Sequence, residues 1–544
     1  MRTLVATAAL VASVLSVAQT FRSANDESAN HPSANSGSAA PYDLLITGGV
    51  VVDGSGRPGV RADVAVSGGR ILRVGRVPRS QASRVLDASG LTVAPGFIDV
   101  HTHADDLADH PLAENFIRMG VTTVIAGNCG SSALDIGQAL TRIQDAGVAV
   151  NFATLIGHNT VRTAVMGRDD RLPTPSELAH MKSLVWKGMA DGAVGFSTGL
   201  EYVPGTYAKM PEIIELARVA ANAGGVYASH MRNEGTALEA AIAETIRVGD
   251  ATGARVEISH LKVDSPSRWG ASAKALAMID AARAKGVDVQ ADAYAYSAAS
   301  STLSIRFPAW ALEGGSRRIA ERLNDPETWS RIRSEMSDLL AVRGLHDLAF
   351  ADVAWYAADQ SLNGLTLKQV AARLVGRDDV EAQFEAARRL QLGGGASMVY
   401  HLMSDEDVDR IFRHPRVAVA ADSGVRTFGE GMPHPRGYGN NARVLAEYVR
   451  HRGVLTLEEA IRKMTSLPAA HFRLAGRGLV KAGYAADLVI FDPARITDRA
   501  TYEKPHAYPD GLPYVLVNGV LVVDRGEQTA ARPGQAIAGT LLQK

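Results

Sequence analysis

The stretch Gly96-Phe97-Ile98-Asp99-Val100-His101-Thr102-His103-Ala104-Asp105-Asp106 decides how the rest of the chain is read. Its apolar start predicts a strand buried on both faces, as in a barrel. Residues i and i+2 of a strand point to one side. His101 and His103 therefore aim two imidazoles at a common point from one strand end. A His-x-His pair alone is weak evidence for a metal, and its weight depends on what the following strands carry.

Working outward, apolar runs recur at 120–126, 151–156, 225–229, 255–259, 287–292 and 417–421, with helical patterns such as Met210 to Ala223 and Ala237 to Thr252 between them. Strand–helix alternation over this length predicts an α/β chain built on a (β/α)8 TIM-like barrel over 94–477. Segment 305–400 is helical, charged and long for a connection, so it is expected to be an insertion over the barrel mouth. The flanks differ. Residues 42–93 read as short strands with Gly48-Gly49 and Gly68-Gly69 turns, and 478–544 mirror them with a hairpin around Asn518-Gly519. The two β-rich ends are expected to pair into a small β-sandwich domain beside the barrel.

The 544 residues can build a large core, and 46% hydrophobic with 21% charged residues is an ordinary globular balance. A formal net charge of -1 argues against nucleic acid or an acidic membrane surface as partner. Arg2 precedes an apolar run, and Ser16-Val17-Ala18 is a small-x-small cleavage site, so 1–20 reads as a secretory signal peptide. Residues 21–41 are Ser/Asn/Ala-rich, as in a disordered linker. The expected location is outside the cytoplasm, with no membrane association once the signal is removed. There is one cysteine, Cys129, so no intrachain disulfide forms.

Function in such a barrel sits at the C-terminal ends of the strands. There His101 and His103 follow the first run, Cys129 the second, His230 ends Val226-Tyr227-Ala228-Ser229-His230, His260 ends Val256-Glu257-Ile258-Ser259-His260, and Asp422 ends Val419-Ala420-Ala421-Asp422. Each alone is an ordinary polar residue or helix cap. Together they predict a metal site, and sulfur with imidazole favours zinc over magnesium or calcium.

With these residues in view the chain resembles the amidohydrolase superfamily, and within it the D-aminoacylase branch, the N-acyl-D-amino-acid deacylases. The likeness runs over roughly 42–530. It is carried by Pro95 to His103, Gly127-Asn128-Cys129-Gly130, Gly195 to Gly205, Ser229-His230-Met231-Arg232, Ser259-His260-Leu261-Lys262 and His434-Pro435-Arg436. The resemblance implies zinc held tightly by Cys129, His230 and His260. It implies a weaker second site at His101 and His103 that shares the thiolate. Many superfamily members bridge two metals with a carboxylated lysine, and none stands in Ala193 to Ser197.

The implied activity is hydrolysis of the amide bond of small N-acyl-D-amino acids. Asp422 would take a proton from water and pass it to the leaving amine. Arg436 is the candidate for the substrate carboxylate, with Tyr294, Ser300, Lys262 and Tyr202 as further substrate contacts. His158, His110, His180 and His471 are expected to be structural. The competing expectation is another amidohydrolase, acting on a cyclic amide or a dipeptide.

Overall fold

In the computed structural model, which describes residues 40–542, the opening stretch forms the first strand of the barrel, Phe97–Asp99. The strands Val121–Ala126, Asn151–Thr154 (continued by Ile156–Gly157), Gly195–Gly199, Val226–His230, Arg255–Ile258, Val289–Ala293 and Val417–Val419 follow, each parallel to its neighbour. The ring closes through a short parallel pairing of Ser423–Gly424 with Thr102–His103. Asp99 bolts this seam: its carboxylate accepts hydrogen bonds from the backbone N–H of His101 (3.1 Å) and of Ala421 (2.9 Å).

The two-residue period of the strands aims the site. Ile98, Val100, Ile125, Ala153, Leu155, Val226, Ala228, Ala418 and Ala420 fill one cluster inside the barrel, plugged by Leu467, Phe472 and Leu474. One further step beyond Ala228 is His230, and one beyond Ala420 is Asp422. Helices surround the ring. Pro175–Ala190 shows why they start where they do: Thr174 and Glu177 form a capping box, with proline in the first turn.

Strands from both chain ends share one seven-stranded sheet, in which Thr92–Pro95 lies between Val50–Val51 and Leu488–Phe491. A four-stranded sheet (Tyr42–Thr47, Asp63–Ser67, Arg70–Gly75, Ala82–Asp87) packs on it through Leu44, Ile46, Leu86, Val93, Leu488 and Leu516. The segment expected to be a helical insertion starts earlier and is mixed. Ala299–Thr302 and Ala351–Trp355 flank Ser397–Tyr400 in an antiparallel sheet, and helices with their own core cover it. The run Ala299-Ser300-Ser301-Thr302 has no apolar alternation to announce a strand; Met398 and Tyr400 on its partner supply the buried face. Among the described residues no helix is long and apolar enough to cross a membrane. The expected signal peptide lies outside the described residues, as does nearly all of the expected linker.

Candidate metal centre

The strand ends converge as expected. Cys129 Sγ stands 3.3 Å from His101 Nε2 and 3.6 Å from both His230 Nδ1 and His260 Nε2. His103 Nε2 is 3.2 Å and His101 Nε2 3.6 Å from Asp422 Oδ1. His101, Cys129, His230, His260 and Asp422 are buried, while the side chain of His103 is 40% exposed.

Three of these residues are held in left-handed backbone: Cys129 (φ 53°), His260 (φ 36°) and Asp422 (φ 49°). Each such residue costs on the order of 1–3 kcal/mol, so the surroundings must enforce it. For Cys129 they do. The Ser197 hydroxyl donates to Gly127 O (2.5 Å) and accepts from Gly130 N–H (3.1 Å), clamping the turn from both sides. On the same strand a Cβ at Gly199 would lie 2.0 Å from the Cys129 carbonyl oxygen, so only glycine fits. For His260, the Asp292 carboxylate accepts its backbone N–H at 2.8 Å.

The donors fit a thiophilic divalent cation. Sulfur-to-nitrogen separations of 3.6 Å match the edges of a tetrahedron with arms of ~2.3 Å to sulfur and ~2.0–2.1 Å to nitrogen, while His230 Nδ1 and His260 Nε2, 2.8 Å apart, must part by about half an ångström to admit the ion. Burial pushes the Cys129 thiol well above its ordinary range, and the carboxylates of Asp422 and Glu234 push the same way. Burial and then Lys262 keep His260 neutral. A cation at this point would turn the thiol into a thiolate and face unprotonated imidazole nitrogens. The buried His101 Nδ1 and Asp292 Oδ2 have no hydrogen-bond partner, as expected of polar groups arranged around a charge.

Asp422 is held ionised. Burial alone would raise its pKa, but the Arg436 guanidinium holds it well below the usual carboxylate range. Arg436 Nη2 lies 2.9 Å from Asp422 Oδ2. The sequence suggested Arg436 as the partner of the substrate carboxylate. The structure places Arg436 at the start of helix Arg436–Arg443, buried and already engaged by the base. Its Nη1 has no partner, and the residue lines the cavity above the ring.

The other expected contacts divide. Tyr294 is buried behind Arg436, its ring 4.3 Å from the guanidinium carbon, and its hydroxyl donates to Met403 Sδ at 3.6 Å. It supports the arginine. Ser300 lines the cavity, and its carbonyl accepts a long 3.5 Å bond from Arg436. Tyr202 lies with its ring 4.5 Å from that of His230, and its hydroxyl is 2.9 Å from Ser301 Oγ. Lys262 lines the cavity with its ammonium 2.5 Å from Glu234 Oε2 and 2.8 Å from His260 Nδ1. The cavity encloses about 1530 Å³ between the strand ends and the insertion.

Sequence reasoning missed Asp99, Ser197, Glu201, Glu234 and Asp292, because nothing in their spacing marks them. Glu201 lies within the Gly195 to Gly205 motif and is 3.0 Å from His230 Nε2. Glu234 Oε2 pairs with Lys262, and its Oε1 stands 2.9 Å from His260 Nδ1 without a hydrogen bond of its own. His158 pairs in the core with Glu212 (2.9 Å), and buried His471 faces Glu257 (3.2 Å).

Residues 84–523 match the model of the amidohydrolase family. The chain is 37% identical over 525 residues to the D-aminoacylase of Alcaligenes xylosoxydans xylosoxydans, covering 92% of this chain and 98% of that one. It is 38% identical over 519 residues to the N-acyl-D-glutamate deacylase of the same organism, covering 91% and 96%. Among solved structures it resembles the N-acyl-D-glutamate deacylase of Bordetella bronchiseptica, complexed with zinc and a phosphonate inhibitor that mimics the tetrahedral intermediate. That match has a TM-score of 0.78 at 36% identity, covering 91% of this chain and 99% of the other. With its strand-end histidines, its barrel and these relatives, the chain belongs to the amidohydrolase family.

Proposed function

We propose that the chain is a zinc-dependent amide hydrolase that cleaves N-acyl-D-amino acids into a carboxylic acid and a D-amino acid. The observation that carries this reading is the meeting of Cys129, His101, His103, His230 and His260 with the carboxylate of Asp422 at one end of the barrel. Three nearly full-length relatives, named as a D-aminoacylase, an N-acyl-D-glutamate deacylase and an N-acyl-D-aspartate deacylase, support it.

Cys129, His230 and His260 would hold one zinc, with His101 and His103 on the side of a weaker second site. A zinc ion bound there supplies Lewis-acid polarisation of an amide carbonyl and acidifies water. Asp422 Oδ1 faces the histidines and accepts the proton of the attacking water, while Arg436 keeps Oδ2 occupied and the carboxyl ionised. The same Asp422 then returns the proton to the departing nitrogen. Arg436 Nη1 is left to take the substrate carboxylate, with Ser300 and Lys262 lining the same cavity.

The test is a panel of N-acetyl-D- and N-acetyl-L-amino acids, dihydroorotate and hydantoins, with acid release followed on zinc-loaded protein. Release of acetate from D substrates is expected. Turnover of only the cyclic amides would transfer the chain to the competing reading. We also infer export, supported by the Arg2-led apolar run and Ser16-Val17-Ala18. Cell fractionation with N-terminal sequencing tests this: cytoplasmic protein with an intact N-terminus would refute it.

A further inference from the structure

The fourth barrel strand brings no metal ligand, yet its end touches two of them. Gly199 abuts the Cys129 carbonyl, and Leu200 N–H donates to the His230 carbonyl at 3.0 Å. Glu201 Oε2 lies 3.0 Å from His230 Nε2, and the Tyr202 ring rests against the same imidazole. Asn159 ties the segment down by donating to the carbonyls of Gly199 (3.1 Å) and Tyr202 (3.4 Å). Four consecutive residues thus clasp the thiolate turn and the His230 ring. With His230 Nδ1 facing Cys129, its hydrogen belongs on Nε2, where the carboxylate accepts it.

His101 has no such support. Its Nδ1 is 3.6 Å from Asp292 Oδ1, beyond hydrogen-bond reach, and has no partner. His103 is partly open to solvent.

We propose that Glu201 is a positioning residue for the metal: it fixes the tautomer and orientation of His230 and so makes the Cys129 side of the centre the tight one. A carboxylate behind a ligating imidazole raises its basicity, and its loss typically lowers metal affinity about 10–100-fold. The inference rests on the zinc reading above but not on the substrate. A protein that binds zinc tightly and ignores N-acyl-D-amino acids would overturn the function and leave this standing.

The experiment is chelator competition on Glu201→Ala and Glu201→Gln, with melting temperatures measured metal-free and zinc-loaded. Glu201→Ala is expected to weaken the tight zinc by about 10–100-fold. Glu201→Gln keeps an acceptor oxygen but not the charge, so it should lose less. The zinc-loaded protein should lose more melting temperature than the metal-free one. Affinity within about threefold of the parent in both variants overturns the proposal. Equal melting losses with and without zinc would reduce Glu201 to a structural residue and overturn it as well. If Glu201→Ala does not fold, the Gln variant decides by the same two measurements.

Discussion

The two arcs of the metal centre are built differently. On one arc Cys129, His230 and His260 are buried, strained in backbone at two positions, and held by Ser197, Gly199, Glu201 and Asp292. On the other, His101 lacks a partner at Nδ1, and His103 faces the cavity. The same ligand types are therefore given unequal orienting support. An orienting hydrogen bond settles which nitrogen a histidine offers before the metal arrives. The comparison predicts a firm site and a loose one on a single thiolate.

The sharpest way to break the comparison is Cys129→Ala. It removes the one soft donor of the firm arc, and activity should vanish with bound zinc well under one per chain. Full zinc and near-normal rates would mean that the firm arc does not hold the metal. Next is Asp422→Asn, which keeps the shape but accepts no proton. We expect kcat to fall on the order of 10²-fold or more while the tight zinc remains, measured by steady-state kinetics beside metal analysis. A change of only a few-fold would leave Asp422 as part of the seam and send the search for a base elsewhere.

Arg436→Met tests the residue joining base to substrate. A charged contact of roughly 1.5–3 kcal/mol predicts about a 10- to 150-fold loss in kcat/KM for a free-acid substrate and a smaller loss for its amide-capped form. The contact with Asp422 adds a second signature. Asp422 works ionised, and burial opposes ionisation while Arg436 restores it. Without the guanidinium the carboxyl pKa rises, and the acidic limb of the kcat/KM profile should move to higher pH for both substrates. Removing one partner of a buried ion pair can cost roughly 3–5 kcal/mol, so zinc-loaded protein is the sample to use. The smallest effect belongs to the loose arc. His103→Ala should keep about one zinc per chain and lose less than tenfold in rate, and loss of that zinc would erase the distinction between the arcs.

The barrel was legible because its strands are short, nearly continuous apolar runs alternating with helical patterns. The ligands were legible because His and Cys are rare at strand ends. The support was not. Ser197 and Asp292 look like any polar residues on a strand, and their partners Gly127, Gly130 and the His260 N–H come from other strands. Glu201 stood inside a quoted motif, but only the fold brings it to His230. Arg436 was found as a chemical group, but its pairing with Asp422 was not, because the two lie on separate segments. The insertion's sheet was hidden by the serine-rich run at 299–302.

The seam at Asp99 has a consequence for how the chain comes off the ribosome. The hydrogen bond from Ala421 to Asp99 joins positions 322 residues apart, and the adjoining segments carry His101, His103 and Asp422. Contacts of such separation form only after the intervening chain has been made and its loop closed. No shorter nascent fragment can bring the base to the histidines. Hydrolytic competence therefore waits for the ring to shut, and a chain truncated anywhere before the eighth strand is inert whatever metal it collects.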